Sequence, residues 1–333
     1  MRSDAWILVV NWNGAALLPA CLSALSRSTR PAHVVVVDNG SVDPSREVVA
    51  RFPGVEWLPL GANTGFAQAN DVGLRRALAA GARWIALVNP DVEVAPDWLD
   101  RLVEAGEAHP RAGLLAGLLL FRDRPDVVNS TGLEVDGLGR ATDRDFDVPL
   151  AALRRSDGPM LGASGGAVVL RDEMLRQVGL FDPAYFAYYE DLDLSLRAAR
   201  LGWDSWYVSS ARAVHGYAQS FGASPRKKFL LARNHLRVVA THAPLWKALL
   251  LPPALAAGRA VIMPLVELAR RRPAMAWAHL AGAAAGLALA SEAIVRRARG
   301  EVVPRLALPA SAGEPASPVS ASDAPAASPR PRG

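Results

Sequence analysis

Four consecutive valines, Val34–Val37, run straight into Asp38. An unbroken β-branched run has no solvent face, so the strand it forms has to be covered on both sides. A parallel sheet layered between helices meets that condition, and the flanking sequence supplies the pattern. Trp6–Asn11, Val55–Leu60 and Trp84–Asn89 read as further strands. Leu17–Ser26, Ser45–Phe52, Phe66–Ala80 and Asp97–His109 have helical spacing between and after them. This rhythm predicts a parallel sheet with helices on it, binding its ligand at the carboxyl ends of the strands. Asn11, Asp38, Asn89 and Asp91 fall at those ends.

Beyond this part, Phe121–Asp157 is polar and rich in Gly and Asp, and predicts loops or a short hairpin near an acceptor. Gly162–Leu170 reads as a turn entering a strand, Asp191–Leu201 as a helix and Ser205–Val208 as a strand. After about Ala240 the character changes. Leu245–Leu268 is apolar but interrupted by Lys247, Pro252, Pro253, Arg259, Pro264 and Glu267. Pro273–Ser291 has no formal charge but is rich in Ala and Gly and carries His279. A membrane span needs about 20 apolar residues; the first stretch falls short and the second passes marginally, so an interfacial helical pair is expected. From Val302 the chain is rich in Pro, Ala and Ser and predicts disorder. The expected organisation is a catalytic domain over 1–240, membrane-associated helices over 241–300 and a tail over 301–333.

The 333 residues suffice for one large α/β domain with appendages. A single cysteine, Cys21, excludes an intrachain disulfide framework and a multi-cysteine metal site, and fits a reducing cytoplasm. The apolar run Trp6–Val10 is too short for a signal peptide. The net charge is +5, carried mostly by arginine, and no nucleic-acid signature with interleaved aromatics accompanies it. Basic clusters at Arg226–Lys228, Arg270–Arg272 and Arg296–Arg299 border the apolar stretches and point to an anionic lipid surface.

Several motifs supply groups that sugar transfer from a nucleoside diphosphate needs. Val36–Asp43 ends a strand in Asp38, which suits a base or ribose and equally suits capping of a turn. Gly61–Asn70 brings Asn63, Thr64 and Gly65 to a helix start that can face phosphates or be an ordinary capped N-terminus. In Val88–Val94, Asn89 and Asp91 make a D-x-D-like pair with oxygen ligands for a hard cation. Glu190, Asp191 and Asp193 crowd three acids at a helix start, where one can be raised to a useful base or all can simply cap. His215 follows a strand and can complete a metal shell. Neither a Walker loop nor G-x-G-x-x-G is present.

Taken in order, Val10–Gly14, Val37–Asp43, Asn63–Asn70, Asn89–Asp91, Gly162–Gly166, Gly179–Asp182, Tyr188–Leu194, His215 and Arg233–Asn234 resemble the family 2 glycosyltransferases, and most of all their bacterial rhamnosyltransferase-like branch. The resemblance covers about residues 5–240. It implies an α/β GT-A fold, a Rossmann-like mixed sheet with a C-terminal helical extension, and inverting single displacement. It implies a nucleotide-sugar donor contacted by Asn11, Asn13, Asp38, Asn63, Gly65, Asn70, Asn89, Gly165 and Gly166, and Mg2+ or Mn2+ on Asp91 and His215. It puts Asp191 as base with Glu190 and Asp193 beside it, and a glycan or polyprenyl-linked acceptor at the cytoplasmic membrane face in cell-surface polysaccharide synthesis. Two other readings share the fold class. A nucleotidyltransferase needs a Gly-rich N-terminal loop with a basic residue, and Asn13-Gly14-Ala15 does not supply it. A non-enzymatic sugar-nucleotide binder has no need of Asp91, Glu190, Asp191 and His215 together.

Overall fold

A computed structural model describes residues 4–216 and 224–301. The tail expected from Val302 onward, and Tyr217–Ser220 of the histidine segment, lie outside the described residues. The expected opening rhythm is present: β1 (Ala5–Asn11), α1 (Leu18–Leu25), β2 (His33–Asp38), α2 (Ser45–Val49), β3 (Val55–Pro59), α3 (Phe66–Ala79) and β4 (Trp84–Val88). Then come β5 (Val92–Val94), α4 (Trp98–Ala108), β6 (Ala112–Phe121), β7 (Val128–Ser130) and the hairpin β8 (Leu133–Val135) with β9 (Ala141–Asp143). β10 (Gly158–Met160), β11 (Ala167–Arg171), α5 (Asp172–Val178), α6 (Glu190–Arg200) and β12 (Asp204–His215) complete the sheet layers. The chain ends in α7 (Pro225–His242), α8 (Leu245–Ala269) and α9 (Pro273–Ala298).

The large sheet runs β10-β12-β6-β11-β4-β1-β2-β3, with β5 on β12 and β7 on β6. Strands β3, β2, β1 and β4 are parallel, while β11 lies antiparallel between β4 and β6, which makes the sheet mixed. Period two sorts the strand residues between two cores. Ile7, Val9, Val36, Trp84 and Ala86 face Leu22, Leu102 and Val103; Leu8, Val35, Val37, Ile85 and Leu87 face Leu74, Leu175 and Leu194. The valine run is thus buried on both sides, each large side chain contributing about 1.5–3 kcal/mol of burial. Strand β6 has no counterpart in the sequence-based expectations: its Ala-Gly-Leu run lacks the β-branched residues that mark strands, yet it is buried throughout.

Register brings the chemistry to one edge. Asn11 pairs with Asp38 at the carboxyl ends of β1 and β2, and Val88 opposes Ala167, so Asn89–Asp91 and Gly165–Gly166 meet there. The long β12 carries His215 to the same edge, opposite Val92.

The C-terminal helices are built onto the domain through α7. A side chain at Gly286 of α9 would come within 2.9 Å of the Arg233 carbonyl oxygen, so glycine is what allows the two helices to approach. Arg297 donates to the Ala240 and Ala243 carbonyls at 2.7 and 2.9 Å and closes the C-terminus of α7. Helix α8 continues over 25 residues despite Pro252, Pro253 and Pro264, because each proline removes only one backbone donor and the helix resumes beyond it. Both α8 and α9 are long and apolar enough to cross a membrane, so the expectation that the first stretch falls short does not hold. Of the basic clusters, Arg296 and Arg299 pair with Glu292 and Glu301, and Arg297 is committed to α7. Arg270–Arg272 are exposed, with no carboxylate pair among the described residues.

Asp71, on α3, accepts a hydrogen bond from the Phe181 N–H at 3.0 Å and ties the α5–α6 connection to the first half of the sheet. Burial pushes its carboxyl up to about 7, against the pull of that N–H. A folded-state pKa above the unfolded value means this group favours folding below about pH 4 and loses that contribution as pH rises through 7. Asp71→Asn keeps the acceptor and removes the charge. Chemical denaturation should show the variant more stable than the wild type at pH 8, on the order of 2 kcal/mol, with the gap closing toward pH 4. A gap independent of pH would mean the carboxyl is ionised without penalty.

Candidate active site

The carboxyl edge of the sheet opens into a cleft of about 1300 Å³, walled by the loops after β1, β2 and β4, by the β8–β9 hairpin, by the start of α6 and by α7–α9. Asn13 lines it with positive φ, its side chain accepting from the Val42 N–H at 2.8 Å. Asn39, absent from the sequence-derived candidates, organises the next wall. It accepts from the Thr64 N–H at 2.8 Å and donates to Asn63 Oδ1 and the Gly65 carbonyl. Gly65 has φ +91° and would drive a side chain into the Phe186 ring. Asn63, Gly65, Asn89, Gly165 and Gly166 all line the cleft. Asn11, Asp38 and Asn70, expected at the nucleotide, do not. Asp38 accepts from Asn11 Nδ2 and from the Ser41 N–H, and Asn70 donates to the Phe66 carbonyl one turn back on α3.

The acids separate into two kinds. Asp191 lines the cleft, accepting from the Gly165 N–H at 3.1 Å and the Leu192 N–H at 2.8 Å. Burial raises its carboxyl, and those backbone donors offset part of the rise. Glu190 beside it is raised well above the carboxylate range by burial and then by the Asp191 charge, and its Oε2 is buried without a hydrogen bond. Asp193, expected alongside them, points elsewhere. It is fully buried and takes Arg197 Nε at 2.8 Å and His242 Nε2 at 2.7 Å. Burial alone would raise it, but the Arg197 charge and the hydrogen bond from His242 outweigh burial and hold it well below the usual range. The reason is helical geometry: two residues on from Asp191, a side chain projects from the opposite face.

A cleft carboxylate was missed. Asp143, at the end of β9, is pushed up to about 6 by burial and by the charge of Asp191, with Ser130 and His215 pulling the other way. It sits where charges on both Asp191 and His215 act on it, which ties those two residues to one locus. Its short, polar strand offered no periodic signal.

Asp91 is buried and lines the cleft, with Oδ1 3.4 Å from His215 Nε2 and no hydrogen bond to that oxygen. His215 Nδ1 meets Asn129 Oδ1 at 2.9 Å. That contact fixes the ring plane, with Nε2 turned toward the Asp91 oxygen. Among the described residues no group of three His, Cys, Asp or Glu side chains converges; the cleft offers this pair.

The model of "Glycosyl transferase family 2" matches residues 6–175. The chain belongs to that family. The family 2 chain is 33% identical over 251 residues to N-acetylglucosaminyl-diphospho-decaprenol L-rhamnosyltransferase of Mycobacterium tuberculosis (strain ATCC 25618 / H37Rv), covering 69% of this chain and 80% of that protein. Its fold is that of the mannosyltransferase PcManGT from Pyrobaculum calidifontis, solved with GDP-Man and Mn2+ (TM-score 0.55, 17% identity, 86% of this chain and 88% of that one). GalNAc-T7, solved with UDP, GalNAc and Mn2+, also shares it (TM-score 0.56, 18% identity, 71% of this chain and 47% of that one). The family 2 glycosyltransferase architecture is therefore the expected GT-A mixed sheet with added C-terminal helices.

The acids of this family 2 site depend on an unusual piece of backbone. Phe186, Tyr188 and Tyr189 all have positive φ, at 65°, 71° and 73°. Each such residue costs on the order of 1–3 kcal/mol unless its surroundings enforce it. Asn234 on α7 does so: its fully buried amide donates to the Tyr185, Ala187 and Tyr188 carbonyls at 2.9, 2.8 and 2.8 Å. Asn234→Ala removes these three hydrogen bonds, leaving the Tyr185 carbonyl its bonds from the Ala187 N–H and Arg233. It should lower stability by about 1–3 kcal/mol and cut turnover by at least about tenfold through misplacement of Asp191. Denaturation and kcat measured on the same preparation check both; unchanged kcat would show that α6 keeps its aim without the clamp.

Proposed function

We propose that this family 2 glycosyltransferase moves a deoxyhexose, rhamnose by its likeness to the mycobacterial relative, from a nucleoside diphosphate donor onto a polyprenyl diphosphate-linked sugar at the cytoplasmic membrane face, in cell-surface polysaccharide synthesis. The observation that carries the chemical reading is Asp191, raised toward neutrality and held by two backbone N–H groups in a cleft that also holds the Asp91–His215 pair. The nucleotide belongs at the strand-end loops, where Asn13, Asn39 and Asn63 present polar groups beside the helix start at Gly65. Deoxythymidine is the nucleoside that the rhamnosyltransferase-like resemblance points to.

Asp191 takes the acceptor hydroxyl proton as that oxygen attacks the anomeric carbon from the face opposite the diphosphate, which inverts the configuration. The backbone donors hold the carboxylate in one rotamer while it does so. Glu190, kept neutral by burial and by the neighbouring charge, offers the sugar an O–H instead of a second negative charge. Asp91 and His215 would hold a divalent cation, Mg2+ or Mn2+: a buried carboxylate oxygen without a hydrogen bond lies 3.4 Å from an imidazole nitrogen, a hard-oxygen and imidazole donor pair. A cation bound there would supply charge neutralisation for the leaving diphosphate. Attachment to the membrane draws on the uncovered apolar side of α8 and on Arg270–Arg272, each basic residue contributing about 1 kcal/mol at an anionic surface.

Asp191→Asn keeps shape and loses basicity. Turnover should fall by about 10²-fold or more with donor affinity preserved; near-normal turnover moves the role to Glu190 or Asp143. Chelator should abolish transfer and added Mn2+ restore it in the wild type but not in Asp91→Ala. Full activity in chelator removes the cation from the reading. Thermal shift with a nucleotide-sugar panel reads donor choice, since the preferred donor raises the melting temperature most.

A further inference from the structure

The far end of the cleft is made by the C-terminal helices, and its chemistry is the reverse of the acidic end. Lys227 and Lys228 of α7, Arg259 and Met263 of α8 and His279 of α9 line it. None of these cations has a carboxylate ion pair among the described residues. Lys227 stands 5.5 Å over the Tyr188 ring, and Arg259 is braced on the Ala232 carbonyl at 3.0 Å and on the His235 ring. Cations fixed side by side without an anion repel one another, and an anion placed among them removes that repulsion.

His279 is the second, independent sign of a ligand. It is only 6% exposed, lines the cleft, and neither ring nitrogen has a hydrogen-bond partner. A buried imidazole with both nitrogens unmet is destabilised, and an acceptor oxygen in the cleft would meet its N–H. The charges of Lys228 and Arg259 act on this ring, with the buried Glu267 of α8 opposing them, so these groups share one locality. Just outside, α8 turns Val261, Ile262 and Leu265 to solvent at 59, 62 and 63% exposure. These residues flank Met263 on the same helix, so an anion at Arg259 that carried an apolar chain would find an apolar track leading out.

We propose that Lys228, Arg259 and His279, with Lys227 beside them, form the subsite for the diphosphate of the lipid-linked acceptor, and that the outer face of α8 takes its first isoprene units. The inference rests on the reading of the acceptor as polyprenyl-linked. It places two diphosphates in one cleft: the donor's at the strand ends near Asp91 and His215, the acceptor's among the helices. The acceptor sugar then reaches from the basic end toward Asp191.

The probe is farnesyl diphosphate, titrated calorimetrically into the full chain in divalent-free buffer with saturating deoxythymidine diphosphate. Farnesyl diphosphate should bind despite the nucleotide, at least about tenfold more tightly than farnesol or inorganic pyrophosphate. Lys228→Glu should weaken it by about tenfold or more, and His279→Leu by a smaller factor, with melting temperatures near the wild type's. In transfer assays Lys228→Glu should raise the acceptor KM and leave the donor KM unchanged. Displacement by the nucleotide, or equal affinity in Lys228→Glu, overturns the subsite. Transfer to a polyprenyl diphosphate-linked sugar with an unchanged acceptor KM in Lys228→Glu overturns the subsite alone. Failure of the wild type to use any such acceptor, together with no binding of farnesyl diphosphate, overturns the acceptor reading with it.

Discussion

One buried amide holds the catalytic end of this molecule together. Asn234 donates to three carbonyls of the segment before α6, and Arg233 beside it donates to the Ala184 and Tyr185 carbonyls. That segment turns through three left-handed residues, none of them glycine, and then presents Glu190 and Asp191 to the cleft. Unsupported, such a backbone relaxes, because β-carbon contacts with the carbonyls oppose it. The same segment packs the Phe186 ring against Gly65, and the Phe186 carbonyl accepts from the Ala67 N–H. Strain in one loop is therefore held from two sides, by α7 and by the start of α3, and the acids inherit its precision.

The charges of the site are sorted by burial more than by number. Burial raises the carboxyls of Asp191, Glu190 and Asp143 above their ordinary values. Asp193 absorbs Arg197 and His242 on the other side of α6 and stays ionised. It fastens the helix that carries Glu190 and Asp191; Arg197 also reaches the Val178 and Leu180 carbonyls and joins α6 to α5. One helix thus uses a carboxylate for chemistry and another, two residues on, for anchorage.

Much of this was legible in the sequence, for physical reasons that also explain the gaps. Strands β1 to β4 declare themselves because both of their faces are apolar, and the ends of such strands are where a parallel sheet exposes ligand-binding groups. Asp91 was legible on that basis, Asp191 from the crowd of acids at a helix start and His215 from its place after a later strand. Asp193 could not be separated from Asp191, because a run of acids does not reveal which face of the helix is covered until the partners Arg197 and His242 are known. Asp38 and Asn11 sit at the expected places and bond to each other and to the following turn, and Asn70 bonds back to its own helix. Asp143 and Asn39 lie in short polar segments where no period exists to mark them. Strand β6 was obscured by leucine and alanine, which suit a helix as well as a strand.

The C-terminal helices are part of the enzyme's frame and not a separable anchor. Residues 6–175 match the family model, yet the clamp on the active-site loop comes from Asn234, outside that stretch. Helix α7, which carries it, is gripped by α9 through the approach at Gly286 and through Arg297 at its C-terminus. Helix α8 packs on the same pair while leaving Leu249, Leu250, Val261, Ile262 and Leu265 exposed. The division follows from composition. The Ala/Gly-rich α9 gives up side-chain bulk to lie close to α7, and the Leu/Val/Ile-bearing α8 keeps its bulk outward. A surface that engages α8 therefore acts on a body rigidly joined, through α9 and α7, to the loop that aims Asp191.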